Sequence, residues 1–251
     1  MSGKIELPYQ RCEEGKSLIN KFFPKETIKK LYYHATNVRF EDNNEKAEII
    51  KYILGPEFEE LGTGTNRIAF LHNGFVVKVA LDYRGCVDSF TEYKRSQELP
   101  ELLAYTYETN FLINIAEYVT VISKEEFLRN EAQIKEVLKK ISAGGYIFDD
   151  IGFSLKNSYN WGYRDNGDLV ILDYGYLYRR PTGTNESAFS CPRCRDELHW
   201  NSNYTGFICS NTQCSTKYSI MDVRRRMSLE LEDTENQVIE MLNNIKMPKF
   251  K

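Results

Sequence analysis

The sequence lacks most of the features that would assign it to a class at once. No stretch approaches the roughly 20 consecutive apolar residues a membrane-spanning helix requires, so no membrane contact is expected. The opening residues, MSGKIELPYQRCEEGK, carry charges with no apolar core behind them and do not read as a secretory leader. There is no internal repeat and no low-complexity segment. Neither sign of charge dominates: 33 Lys and Arg against 36 Asp and Glu leave a net charge of -3. That balance removes any global pull toward nucleic acid or anionic lipid, and leaves such contacts to a local patch. What is there is ordinary for a soluble chain. The 251 residues are 41% hydrophobic and 27% charged, enough to bury one large core or two modest ones. The expected location is the cytoplasm, the host's if the source is viral.

Cysteine is the exception to this plainness. Four of the six cysteines fall between Cys191 and Cys214, as Cys191-Pro-Arg-Cys194, fourteen residues, then Cys209 and Cys214 with four residues between them. In a reducing compartment, paired knuckles at this spacing favour zinc over disulfides. Four thiolates close a tetrahedral shell and leave no open position, so Cys191, Cys194, Cys209 and Cys214 are expected to hold a structural Zn2+ in a zinc ribbon. The intervening Leu198, Trp200, Tyr204, Phe207 and Ile208 suit a hairpin beside the metal, and His199 reads as a surface or packing residue. Cys12 and Cys86 are left over as small buried or half-buried thiols. Arg193, Arg195 and Arg224 to Arg226 form a loosely basic neighbourhood, read as a solvated face before a phosphate contact.

Along the chain, helical periodicity appears in SLINKFF, KETIKKLYYHA and NEKAEIIKYIL, punctuated by Pro24 and by residues 41–44. A strand-rich block follows, with FEELGTGTNRIAFL, GFVVKVALD and the pair AYTYETN and FLINIAEYVTVI. Between them VDSFTEYKRSQELPELL reads as a helix. KEEFLRNEAQIKEVLKKI reads as one longer helix that stops at Ala143-Gly144-Gly145. YIFDD then leads into a loop, LVILDYG reads as a strand, and a last helix is expected from about 222 to 245.

Several short patterns carry chemistry. Leu61-Gly62-Thr63-Gly64-Thr65-Asn66-Arg67 lies between two strands, where glycines let backbone amides approach a phosphate, although most such turns are only turns. Lys78 sits inside the apolar strand Phe75–Ala80; a buried ammonium needs an anionic partner, and Glu92 in the next helix is a natural one. Asn160 and Asp173 flank a hairpin whose turn is signalled by Asp165-Asn166-Gly167, so their hard oxygens could share a divalent cation.

Taken in order (glycine hairpin, strand Lys, helix Glu, long helix, acidic loop, Asn, strand, Asp173-Tyr174-Gly175), residues 58 to 180 resemble the protein-kinase-like fold. The resemblance is to the divergent members found in phages and bacteria. It implies an α+β, bilobal core with an N-lobe at 57–119 and a reduced C-lobe at 120–185, flanked by the N-terminal helical extension at 1–56, the zinc ribbon at 186–220 and a C-terminal helix at 221–251. It also implies ATP and Mg2+. Gly62 and Gly64 would belong to the phosphate loop, Lys78 would hold phosphates and pair with Glu92, and residues 114–119 would form the hinge that reads adenine. Asn160 and Asp173 would bind the metal.

The chain also departs from that pattern. The family's base lies five residues before its Asn, where this chain has Leu155. Asp149 and Asp150 lie further upstream, so Asp150 is the candidate base only if the loop carries an insertion. Arg67 stands where a third glycine is usual, able to stiffen the loop or reach a phosphate. Nothing resembles the family's APE segment, so the usual helical platform for a peptide substrate is shortened or replaced.

Two functions follow. One is phosphotransfer from ATP to a protein Ser/Thr hydroxyl, with the ribbon docking the substrate; a small-molecule acceptor is a variant of it. The other is a pseudokinase scaffold engaging a host or viral protein complex. The long catalytic loop and short C-lobe favour the second, and retention of Lys78, Glu92, Asn160 and Asp173 favours the first. Nucleic-acid binding through the ribbon is a third option, opposed by the acidic balance.

Overall fold

The computed structural model describes residues 17–37, 43–179 and 189–224. The chain is mixed α+β with several small sheets and divides into two compact units. One comprises Met1–Tyr93 with Tyr105–Tyr118; the other comprises Lys94–Ala104 with Val119–Lys251. Cys12, Arg225 and Arg226 lie outside the described residues, as do the first sixteen positions and most of the expected C-terminal helix.

In the first unit, helices α1 (Leu18–Phe22), α2 (Lys25–Asn37) and α3 (Asn43–Leu54) precede a five-stranded antiparallel sheet. Its strands are β1 (Glu59–Thr63), β2 (Arg67–His72), β3 (Phe75–Ala80), β4 (Thr106–Thr109) and β5 (Ile113–Glu117), in the order β1-β2-β3-β5-β4. Helix α4 (Tyr83–Glu98) intervenes between β3 and β4. Ser17 caps α1 by accepting from the Asn20 amide, and Glu108 on β4 accepts from the Ile19 amide at 3.1 Å, which fixes that helix start to the sheet.

The register dictates the two faces of this sheet. Val77 pairs with Phe70 and Ile115, and Val79 with Ile68 and Ile113, all six fully buried on one face. The alternate positions, Arg67, Ala69, Lys78, Ala80, Asn114 and Ala116, share the other face, because side chains alternate across a strand. Burying each large apolar residue of the first face is worth about 1.5–3 kcal/mol. A chain of rings, Phe23 to Phe58 at 5.3 Å and Phe58 to Phe70 at 6.2 Å, continues that core toward the end of α1.

In the second unit, β6 (Thr120–Val121), β8 (Trp161–Tyr163) and β9 (Leu169–Ile171) form one antiparallel sheet, and β7 (Tyr146–Phe148) pairs with β10 (Leu177–Arg179). Helices α5 (Lys124–Arg129) and α6 (Glu131–Ala143) pack around a core that includes Phe127, Leu138, Phe148, Trp161 and Ile171. The cysteine-bearing segment adds a three-stranded sheet of β11 (Leu198–Trp200), β12 (Phe207–Cys209) and β13 (Lys217–Tyr218), then α7 (Ile220–Arg224).

Four expectations need correction. The single helix expected over 124–141 is two, because the Asn130 side chain donates to the Glu126 carbonyl at 2.7 Å and its backbone leaves helical geometry. FLINIAEYVTVI is not one strand: it divides into β5 and β6, in different sheets and different units. The helix read over 87–103 begins earlier and ends at Glu98, ahead of Pro100, which the pre-proline restriction explains. The segment YIF is itself a strand, and LVILDYG is extended only as far as Ile171.

Candidate functional site

Each unit holds part of the expected constellation. In the first, Asp82 starts α4 by accepting from the Gly85 amide at 3.0 Å. Gly85 is required there by contact: a Cβ at that position would lie 2.1 Å from the Asn66 carbonyl oxygen. This close approach seats α4 against the β1–β2 turn, and seven residues on it delivers Glu92 to the polar face of the sheet.

Glu92 is fully buried and receives two cations. Its Oε1 accepts from Lys78 Nζ at 2.8 Å and from an Arg67 guanidinium nitrogen at 2.8 Å. Its Oε2 lies 2.7 Å from the other Arg67 nitrogen and 3.0 Å from Lys78 Nζ. Asn114, opposite Lys78 on β5, donates to the Ser89 carbonyl of α4 at 2.9 Å and walls the pair on that side. Burial alone would push the Glu92 carboxyl up. The charges of Arg67 and Lys78, with the hydrogen bonds they donate, outweigh it and hold the group down at about 2. Glu92 therefore stays ionised, and the strand lysine is fixed at both carboxylate oxygens.

Arg67 corrects the sequence reading. It is buried at 9% exposure and bound side-on to Glu92, so it is a member of the ion cluster and does not extend from the loop toward a phosphate. Its signal was the hairpin register: Arg67 pairs with Ala80 and Lys78 with Ala69, so the two basic side chains are diagonal neighbours on one face.

Gly62 and Gly64 lie on the β1 side of that hairpin. Every residue of β1 is exposed, and a Cβ on Gly62 would meet no atom within 4 Å. Neither glycine has a positive φ, so the backbone itself does not demand glycine at either position. The expected hinge also changes. The backbone of Asn114 to Ala116 lies between β3 and β4 and is engaged by ladders on both sides, so these residues are strand interior; the chain passes from one unit to the other at Tyr118 and Val119.

In the second unit, a strand pair and a hairpin bring three expected residues together. β7 ends at Phe148 and releases Asp149 and Asp150; β10, entered through Tyr174 to Tyr176, returns to pair with β7. Between them the β8–β9 hairpin has Asn160 just before it and Asp173 just after. The stretch from Asp150 to Asn160 contains a 3-10 helix, Leu155–Asn160, which absorbs the extra length that the sequence indicated. Asn160 Nδ2 donates to the Asp150 carbonyl at 2.7 Å, and the Leu172 amide donates to the Asn160 carbonyl at 2.8 Å. Asn160 is buried, while Asp173 is exposed and Asp150 half-exposed.

Asp150 adopts φ +62, a left-handed conformation that non-glycine residues seldom hold. Such conformations concentrate at functional sites, where the surrounding structure sustains the cost. Tyr159, exposed and missed by the sequence reading, reports the neighbourhood of both acids. Partial burial, then the negative charges of Asp150 and Asp173, raise its pKa above the ordinary tyrosine value. The Lys156 ammonium is 4.0 Å from Asp150 Oδ1, a solvent-exposed pair.

The four module cysteines lie with their sulfur atoms all within 4.8 Å of one another, with Cys191 to Cys214 at 3.7 Å and Cys194 to Cys209 at 3.3 Å. Zn–S bonds of about 2.3 Å in a tetrahedron put sulfurs about 3.8 Å apart, so these residues fit a tetrahedral thiolate-bound metal. Each pair is followed by a residue of positive φ, Arg195 at +71 and Ser215 at +44, which turns the chain around the cluster. Asn211 ties the knuckles together, donating to Asp196 at 2.7 Å and accepting from the Gln213 amide at 2.9 Å. Tyr218 Oη stands 3.2 Å from Cys191 Sγ, a supporting contact of the kind that orients thiolate ligands. His199 is largely exposed and no part of the cluster. Cys86 is an ordinary buried thiol, pushed up to about 12 by burial and by the charges of Asp82 and Asp88. Among the described residues no helix is long and apolar enough to cross a membrane.

No family model and no curated protein matches the chain. Among solved structures, one described as the "medium resolution structure of the bifunctional kinase-methyltransferase WbdD" is similar to it, with 14% sequence identity and a TM-score of 0.35. The alignment covers 47% of this chain and 31% of that one, so the chain spans about a third of that protein's length. A likeness of this size carries no argument about what the chain does.

Proposed function

We propose that the chain is an ATP- and Mg2+-dependent phosphotransferase of protein-kinase-like, bilobal fold, acting on a protein Ser/Thr hydroxyl, with a structural zinc in its four-cysteine module. The observation that carries the reading is the Lys78–Glu92 pair, a strand lysine held at 2.8 Å by a fully buried helix carboxylate. Burying that arrangement costs desolvation of both charges, and stability alone is weak grounds for it. A lysine preset to receive phosphate oxygens gives it a use.

In this reading Gly62 and Gly64 let the exposed β1 strand approach the nucleotide phosphates, and Lys78 orients them. Asn160 and Asp173 offer the hard oxygens that suit Mg2+, which neutralises phosphate charge during transfer. Asp150 accepts the proton as the acceptor oxygen bonds to the γ-phosphorus and the bond to the bridging oxygen breaks, releasing ADP. The work is positioning and charge stabilisation, for which these groups are suited. The module docks the protein substrate.

One observation favours the binding-protein alternative. Arg67 already satisfies Glu92 alongside Lys78, so the cluster is closed as a brace without any nucleotide. Transfer of labelled γ-phosphate from ATP to protein separates the readings. The enzyme reading expects Mg2+-dependent transfer, abolished in Asp150→Asn while ATP binding persists. No transfer to any protein fraction, with ATP bound or not, leaves the pseudokinase scaffold.

A further inference from the structure

The cysteine module is seated on the segment that carries Asp150. Phe148, two residues before Asp150, stacks on Trp200 of β11 with centroids 4.5 Å apart and planes 11° from parallel. Ile147 belongs to the module's own buried cluster, with Phe189, Leu198, Phe207 and Val223. Two residues after Asp150, a Cβ on Gly152 would lie 2.3 Å from the Tyr204 carbonyl oxygen, so the two backbones touch and only glycine fits. At the next residue the Phe153 amide donates to the Asn203 carbonyl at 2.8 Å. Asn157 Nδ2 then closes the loop on itself through the Gly152 carbonyl at 2.9 Å. Asp150, with its φ of +62, is thus flanked by the module on both sides, by Trp200 of β11 before it and by the turn from Asn201 to Thr205 after it.

That turn has little apolar core of its own. Asn201 holds it, accepting from the Asn203 amide at 3.0 Å and from the Thr205 amide at 3.1 Å. Its ends run into β11 and β12, and β12 ends at Cys209, one of the four clustered cysteines. In a sheet this small a bound metal supplies much of the folding free energy. The turn's shape, and through it the Asp150 segment, therefore depends on the cluster.

We propose that the module is the positioning device of the Asp150 loop: Trp200, Asn203 and Tyr204 fix where Asp150 stands, and loading of the four-cysteine site sets that position. This deepens the phosphotransfer reading and rests on it for the role of Asp150, but the coupling itself is measured without catalysis. It also gives the module a task inside the chain, separate from any docking.

The test is amide hydrogen exchange on the full chain, zinc-loaded and after zinc removal by a chelator, and on Gly152→Ala. Zinc-loaded wild-type protein should protect the Phe153 amide. Zinc removal should speed exchange there by at least about tenfold, while Ile134 and Leu138 in α6 keep their protection. Gly152→Ala should keep one zinc per chain and still lose Phe153 protection, because the added Cβ separates the two backbones. In a transfer assay that variant should lose kcat with KM for ATP unchanged, a split that global loosening would not give. Unchanged exchange at Phe153 in both the chelated protein and Gly152→Ala overturns the proposal. If exchange responds as expected but no variant transfers phosphate, the coupling stands and the phosphotransfer reading falls.

Discussion

At the scale of single residues, Glu92 is a fully buried carboxylate held by two cations, Arg67 and Lys78. Its folded-state pKa of about 2 lies below the ordinary 4.5. Its contribution is therefore complete above about pH 4.5 and is lost as pH falls toward 2, on the order of 3 kcal/mol over that window. Glu92→Gln should flatten the acid limb of the stability curve there. It should also cost about 3–5 kcal/mol near neutrality, since Arg67 and Lys78 are left buried without a carboxylate; urea titrations across pH measure both. Gly62 makes the opposite prediction. A Cβ there meets nothing within 4 Å and φ is not positive, so Gly62→Ala should leave the denaturation midpoint unchanged or slightly raised. If β1 covers a nucleotide, the same substitution should weaken ATP binding, read by calorimetry. A loss of stability with unaltered binding would remove Gly62 from the site.

At the scale of elements, Gly85 decides how α4 meets the sheet. Gly85→Ala would drive a Cβ into the Asn66 carbonyl and against Ala80, so α4 must shift. A destabilisation of about 1–3 kcal/mol is expected, visible as a lowered Tm. The sequence disclosed elements wherever a local rule operated. The glycine hairpin, the Lys78 strand, the helix stop at Gly144 and Gly145, and the spacing of the four cysteines all depend on neighbours close in the chain. What it hid depends on distant partners. FLINIAEYVTVI is apolar and β-prone throughout, so nothing local says that its ends join different sheets. The run from Lys124 to Ile141 keeps a helical period across Asn130, whose side-chain bond to Glu126 becomes visible only in the structure. Arg67 looked like a loop residue until the register put it beside Lys78. Asp150 could not be linked to Asn160 by counting, because a six-residue 3-10 helix, Leu155–Asn160, takes up much of the stretch between them.

At the scale of the whole molecule, the expected constellation is divided. Gly62, Gly64, Lys78 and Glu92 belong to one unit, and Asp150, Asn160, Asp173 and the four cysteines to the other. The central claim is that the chain binds Mg-ATP, and thermal unfolding with and without it tests that claim most directly. A ligand bound only by the folded state stabilises it by about 2.7 kcal/mol at a hundred times its Kd, enough to move the midpoint measurably. The account predicts a Mg2+-dependent rise in Tm for the wild type, lost in Asp173→Ala and also in Lys78→Met. A midpoint indifferent to millimolar Mg-ATP would contradict it, as would a rise that survives both substitutions.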